Sequence, residues 1–119
     1  MAKAEFFTNI SDLIENNNDR LSYGVSVTDF DKDGNYEFVV AGFGYSNLAL
    51  GYKKGKLVNT IQDSLFIDKD RNTIGVSACD VDQDGFEEIY FLNTDTYSGE
   101  KKYSDRLLDH DNKILDYFE

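Results

Sequence analysis

Between Asp29 and Glu37 the chain reads DFDKDGNYE, and between Asp80 and Glu88 it reads DVDQDGFEE. Each stretch places carboxylates at positions 1, 3, 5 and 9 and a glycine at position 6. Oxygens at alternate positions around a tight bend converge on one point. Hard oxygen ligands in that arrangement suit Ca²⁺, which takes roughly six to eight of them. The first ligand set is Asp29, Asp31, Asp33, Glu37 and the backbone carbonyl of Asn35; the second is Asp80, Asp82, Asp84, Glu88 and the carbonyl of Phe86. Gly34 and Gly85 supply the bend, with a positive φ expected at each. Without a cation these carboxylates would repel one another, at a cost of about 1 kcal/mol per close pair even in a water-like dielectric. The expectation is two Ca²⁺ per chain.

Two other readings compete. An EF-hand opens in the same way but needs a bidentate Glu at position 12 and flanking helices. Position 12 is Val40 in one loop and Phe91 in the other, both inside β-type sequence. Asp and Gly are also ordinary turn formers, so one such loop alone could be a solvated turn. Two loops in register, each with a strand before and after it, favour metal binding.

The elements that must hold these loops repeat with them. Tyr23 to Gly42, YGVSVTDFDKDGNYEFVVAG, aligns without a gap on Ile74 to Asn93, IGVSACDVDQDGFEEIYFLN, at an offset of 51 residues (80 − 29). A period of roughly 40 to 50 residues indicates propeller blades or similar arrays. Before the first loop, YGVSVT alternates Tyr23, Val25 and Val27 with small residues, the period-2 pattern of a strand. After each loop, EFVVAGF or EEIYFLN reads as a buried strand. NLALGYK and KLVNTIQ then follow in the first repeat, SDRLLDHD and KILDYFE in the second, with KKGK and HDNK as turns. The expected fold is all-β: two four-stranded antiparallel propeller blades, over residues 21–66 and 67–119. Residues 1–20 form an N-terminal segment that either pairs with a neighbouring blade or starts a short helix capped by Ser11. Asn16 to Asp19 and IDKDRNT read as polar turns ahead of each blade.

Composition narrows the function. The 119 residues include 40% hydrophobic and 14% aromatic residues, enough for a core, and carry a formal net charge of −11. That charge repels phosphate backbones and anionic lipids, so neither is the expected partner, and cations are the natural ones; no apolar run approaches the length of a membrane span, so membrane insertion is not expected. The N-terminus lacks the apolar core of a signal peptide. Asn9-Ile-Ser is a glycosylation acceptor if the chain is secreted by a eukaryote. Cys79 is the sole cysteine and excludes an internal disulfide; within VSACD it reads as buried and structural. His110 is the sole histidine, and neither residue has a nucleophile–base partner in the sequence. The Asp pairs could do glycosidase chemistry, yet metal ligation explains them better. No enzyme is expected.

The loops and their strands resemble FG-GAP calcium-binding repeats, the blades of integrin-type β-propellers. More closely, they resemble the N-terminal blades of the cartilage acidic protein family, through the non-ligand words VVAG, IGVSACD and EEIYFLNT. The resemblance implies Ca²⁺ ligands at the eight carboxylates named above and an extracellular location. The chain departs from the FG-GAP pattern in using Glu at position 9 and in lacking the eponymous Gly-Ala-Pro. Two blades cannot close a ring, so unless the chain is a fragment, three or four copies are expected to associate. The function expected is a scaffold unit with structural calcium that binds a protein or glycan, with Tyr45, Tyr52 and Tyr97 as candidate contacts. Alternatives are a carbohydrate-active hydrolase or lectin-like module with its site between chains, and a purely structural assembly subunit.

Overall fold

The computed structural model describes residues 6–61, 64–94, 101–109 and 114–117. They form two antiparallel four-stranded sheets, each a meander in sequence order. The first holds β1 (Val25–Thr28), β2 (Glu37–Val40), β3 (Leu48–Lys53) and β4 (Lys56–Asn59); the second holds β5 (Thr73–Cys79), β6 (Glu88–Asn93), β7 (Asp105–Leu108) and β8 (Ile114–Tyr117). Each strand falls within a segment legible as β in the sequence, except that β5 starts one residue earlier, at Thr73, inside the stretch read as a polar turn. KKGK makes the β3–β4 turn, whereas HDNK, His110 and Tyr97 lie outside the described residues.

Register assigns the faces. Val25 pairs with Val40 and Val27 with Phe38, which itself pairs with Leu50, so these apolar side chains share one face of the first sheet, its front. Ser26, Thr28, Glu37, Val39 and Ala49 alternate onto the back. That back packs on the second sheet, where Val39 and Ala49 join Ile89, Phe91 and Leu108 in one buried cluster. Gly24 and Gly75, equivalent in the two repeats, let β1 and β5 approach. A Cβ built on Gly24 would lie 3.1 Å from the Gly75 Cα, closer than a side chain tolerates without displacing backbone.

Sequence reasoning missed the residue that fills the gap between the sheets. Phe66, on the single-turn helix α1 (Ser64–Ile67), is 2% exposed. Its ring lies 5.4 Å from that of Phe30 and, edge-on, 5.4 Å from that of Phe91. The strand expected over KLVNTIQ stops earlier, at Asn59, because the Asn59 side chain accepts from the Ala49 N–H and donates to the Ile61 carbonyl, turning the chain away. Backbone bonds then tie the connector to the first sheet: Asn47 N–H donates to Ile67 O (2.8 Å) and Thr73 N–H to Gly42 O (3.0 Å).

A second repeated device is equally invisible in the sequence. Arg20 lies over the Tyr45 ring and donates to the Ser46 carbonyl; Arg71 lies over the Tyr103 ring and donates to the Ser104 carbonyl. The following residues, Asn47 and Asp105, each accept a backbone N–H through Oδ1, from Gly42 and Asn93 respectively. The arginines keep the 51-residue offset, but a longer β6–β7 connection moves their tyrosine and serine partners out of it.

The N-terminal segment makes a 3-10 turn at Ser11–Leu13. Ser11 is not its cap, as the sequence suggested: Ile10 holds that position and the Ser11 hydroxyl donates to Asn9 Oδ1. Beyond the turn, Ile14 forms a parallel bridge with Leu57 of β4, so the segment lies on the outer edge of the first sheet. Cys79 also departs from expectation. It is exposed at the end of β5, because it shares a face with Ser77 and Leu92 that nothing among the described residues covers.

Candidate metal centres

The acidic loops are the β1–β2 and β5–β6 connections, at one end of the stacked sheets. Their backbone-to-carboxylate hydrogen bonds match one for one. Asp29 Oδ1 accepts from the Asp33 N–H (3.0 Å) and Oδ2 from the Gly34 N–H (2.9 Å); Asp80 accepts from Asp84 (3.1 Å) and Gly85 (3.0 Å) in the same way. Asp31 and Asp82 accept from the same position-5 amides, and Asp33 and Asp84 from the position-7 amides. These bonds curl each loop so that its carboxylates face inward. Gly34 (φ 86°) and Gly85 (φ 94°) make the expected bend. Lys32 (φ 59°) and Gln83 (φ 65°) are also left-handed, a strain on non-glycine residues that the sequence did not signal.

Position 9 is the buried wall of each centre. Glu37 and Glu88 are the first residues of β2 and β6, and both are 3% exposed. One oxygen of each is held by the position-2 N–H: Phe30 to Glu37 Oε2 at 3.2 Å, Val81 to Glu88 Oε2 at 2.7 Å. The other oxygen of Glu88, Oε1, is buried with no hydrogen-bond partner among the described residues. An orphaned carboxylate oxygen costs free energy unless a positive group meets it, so the donor set fits a cation. Burial, together with the neighbouring charges of Asp31, Asp33 and Asp29, pushes the Glu37 carboxyl up to about 7.

In the second loop, Asp80, Asp82, Asp84 and Glu88 bring one oxygen each within 4.8 Å of the others. In the first, Asp29, Asp31 and Glu37 do so and Asp33 stands apart. The difference has a local cause. Asp33 Oδ1 accepts from both the backbone N–H (2.8 Å) and the side-chain amide (3.0 Å) of Asn35, whereas the second loop has Phe86 at that position. The Asn35 backbone N–H first, and its amide next, hold the Asp33 carboxyl below the usual carboxylate range. The loops also touch: the Lys32 ammonium sits 3.5 Å from the centre of the Phe86 ring.

Two all-β repeat units, each carrying an oxygen-rich loop between its first two strands, define a class of repeat protein. Residues 7–91 match the FG-GAP-like repeat family, and the chain belongs to it. It is similar to Cartilage acidic protein 1 of Xenopus tropicalis, 46% identical over 115 residues covering 85% of this chain and 18% of that protein. It is also similar to the Homo sapiens and Mus musculus proteins of that name, each 47% identical over 102 residues and 78% of this chain. The chain thus spans less than a fifth of the length of these relatives.

Proposed function

We propose that the chain is a calcium-binding β-propeller scaffold unit, each sheet a blade, holding one Ca²⁺ in each acidic loop. The buried Glu88 Oε1, without a hydrogen-bond partner among the described residues, inside a loop whose backbone-to-carboxylate bonds repeat in the other, is the observation that carries this reading. The ion staples the first strand of each blade to the second. It adds stability by mass action, since the unfolded loop has no assembled ligand set. This role is structural and the unit is non-catalytic. We place the chain outside the cell, as the relatives' name, which refers to cartilage, suggests.

Its ligand is a protein or a glycan. For the glycan, a groove of about 830 Å³ lies between the N-terminal segment and the front of the first sheet. Asn16, Asn18, Asp19 and Tyr45 line it. Amides, a carboxylate and an exposed aromatic ring supply the hydrogen bonds and stacking surface that sugars require.

Titration calorimetry of chelator-stripped protein with CaCl₂ tests the metal reading. Two sites per chain are expected, falling to one in Asp29→Ala and one in Asp80→Ala. Heat no larger than dilution in the intact chain would sink it.

A further inference from the structure

The two acidic loops share a backbone curl but differ in how far each ligand set is assembled. In the second loop all four carboxylates converge, and Glu88 Oε1 is buried without a hydrogen-bond partner among the described residues. In the first, Asp29, Asp31 and Glu37 converge without Asp33, and Glu37 has no oxygen that is both buried and unpartnered. The cause lies at position 7. Asp33 and Asp84 each accept the position-7 backbone N–H, at 2.8 and 2.9 Å. Asp33 also accepts the side-chain amide of Asn35 at 3.0 Å, where Phe86 of the second loop has no side-chain donor to offer. An ion entering the first loop must draw Asp33 away from that amide. One entering the second loop finds its carboxylates gathered and meets a stranded oxygen.

Charge points the same way. Asp29 to Glu37 carries four carboxylates and Lys32, a net −3, whereas Asp80 to Glu88 carries five carboxylates, Glu87 being the extra one, and no cation, a net −5. Oxygen sites for Ca²⁺ are tuned by ligand charge and by rigidity, and the second loop leads in both.

The first loop also reaches the packing between the sheets. Its Phe30 N–H holds Glu37 Oε2 at 3.2 Å, while the Phe30 ring lies 5.4 Å from that of Phe66. A shift of Glu37 onto an ion is therefore passed through Phe30 to the residue that fills the gap between the sheets.

We propose that the two centres fill in order: the second holds a resident Ca²⁺, and the first an exchangeable one, weaker by on the order of tenfold, whose arrival is transmitted to Phe66. The inference rests on the calcium reading above and adds to it the ranking of the two sites.

The test is an amide NMR titration of the intact, chelator-stripped chain with CaCl₂. The Gly34 and Gly85 amides report separately, because each donates to the first carboxylate of its own loop. Gly85 should change with the first equivalent and Gly34 with the second, and the Phe66 amide should follow Gly34. Parallel changes at the two glycines, or Gly34 ahead of Gly85, would overturn the ranking and leave the calcium reading standing. A Phe66 amide that follows Gly85, or stays still, would overturn the transmission. No change at either glycine defeats the calcium reading itself. Two substitutions then probe the cause. Phe86→Asn gives the second loop the amide of the first and should weaken the second site several-fold relative to Phe86→Ala, which removes the ring alone. Equal affinities in these two variants would refute the explanation from position 7.

Discussion

The Lys32 ammonium lies 3.5 Å from the centroid of the Phe86 ring, joining the fourth residue of one acidic loop to the seventh residue of the other. A cation over an aromatic face at an exposed site contributes about 0.5–1 kcal/mol. Phe86→Ala should therefore lower the stability of the chain by about that amount. The second site should still bind its ion, since position 7 is expected to offer a carbonyl that alanine retains. Chemical denaturation paired with calcium titration checks both parts.

The amide of Asn35 donates to Asp33 Oδ1, an oxygen that the proposed ion would need. Asn35→Ala removes that competitor and keeps the backbone carbonyl. The first site should then bind Ca²⁺ several-fold more tightly, in line with a net hydrogen-bond contribution of about 1 kcal/mol. Calorimetry of the Asp80→Ala background, in which the first site is seen alone, reads the change. Unchanged or weaker affinity would contradict the explanation given for the offset of Asp33.

Asp105 is 3% exposed and collects the Lys101 ammonium (2.6 Å), the Tyr90 hydroxyl (2.6 Å) and the Asn93 N–H (2.9 Å). Burial works to raise its carboxyl, but the Lys101, Tyr90 and Asn93 bonds hold it below the ordinary value. Burial first, and the bond to Asp105 next, push the Tyr90 phenol up to about 12. A carboxyl depressed in the folded state stabilises the fold above the unfolded carboxylate pKa. That contribution is lost as pH falls through the lower folded value. Asp105→Asn, which copies Asn47 of the first repeat, should remove this part of the acid sensitivity at a cost of about 1 kcal/mol near neutral pH. Asp105→Ala strands the Asn93 and Tyr90 donors and should cost about 2–4 kcal/mol. Urea midpoints across neutral to acidic pH separate the three proteins.

Phe66 closes the space between the sheets, so Phe66→Ala should destabilise the chain by about 3–5 kcal/mol. Phe66→Leu, which fills part of the volume, should cost less. Loss of the near-ultraviolet aromatic circular dichroism should accompany the alanine change, since Phe66 is packed against both Phe30 and Phe91.

Much of this protein is written locally. A strand with one buried face imposes a period of two, and a loop that gathers oxygens imposes Asp at alternate positions with Gly at the bend. Both patterns lie within ten residues, so the strands from Val25 to Tyr117 and the acidic loops that begin at Asp29 and Asp80 were legible in order. Contacts between distant residues leave no such trace. Phe66 lies beyond the last strand expected in the first repeat and shows no role until the second sheet folds over it, and Arg20 and Arg71 look like isolated charges until the loops bearing Tyr45 and Tyr103 come down on them. Cys79 shows the same limit from the other side. Its place within VSACD suggested burial, but burial depends on which face another sheet covers, and that is settled by stacking across the whole chain. Sequence by itself determined the strands, their repeat and the oxygen-rich loops, because each is encoded by near neighbours. Only the tertiary structure decided which face is core, which is bare and which glutamate oxygen lacks a partner, because those depend on what lies on the far side of a sheet.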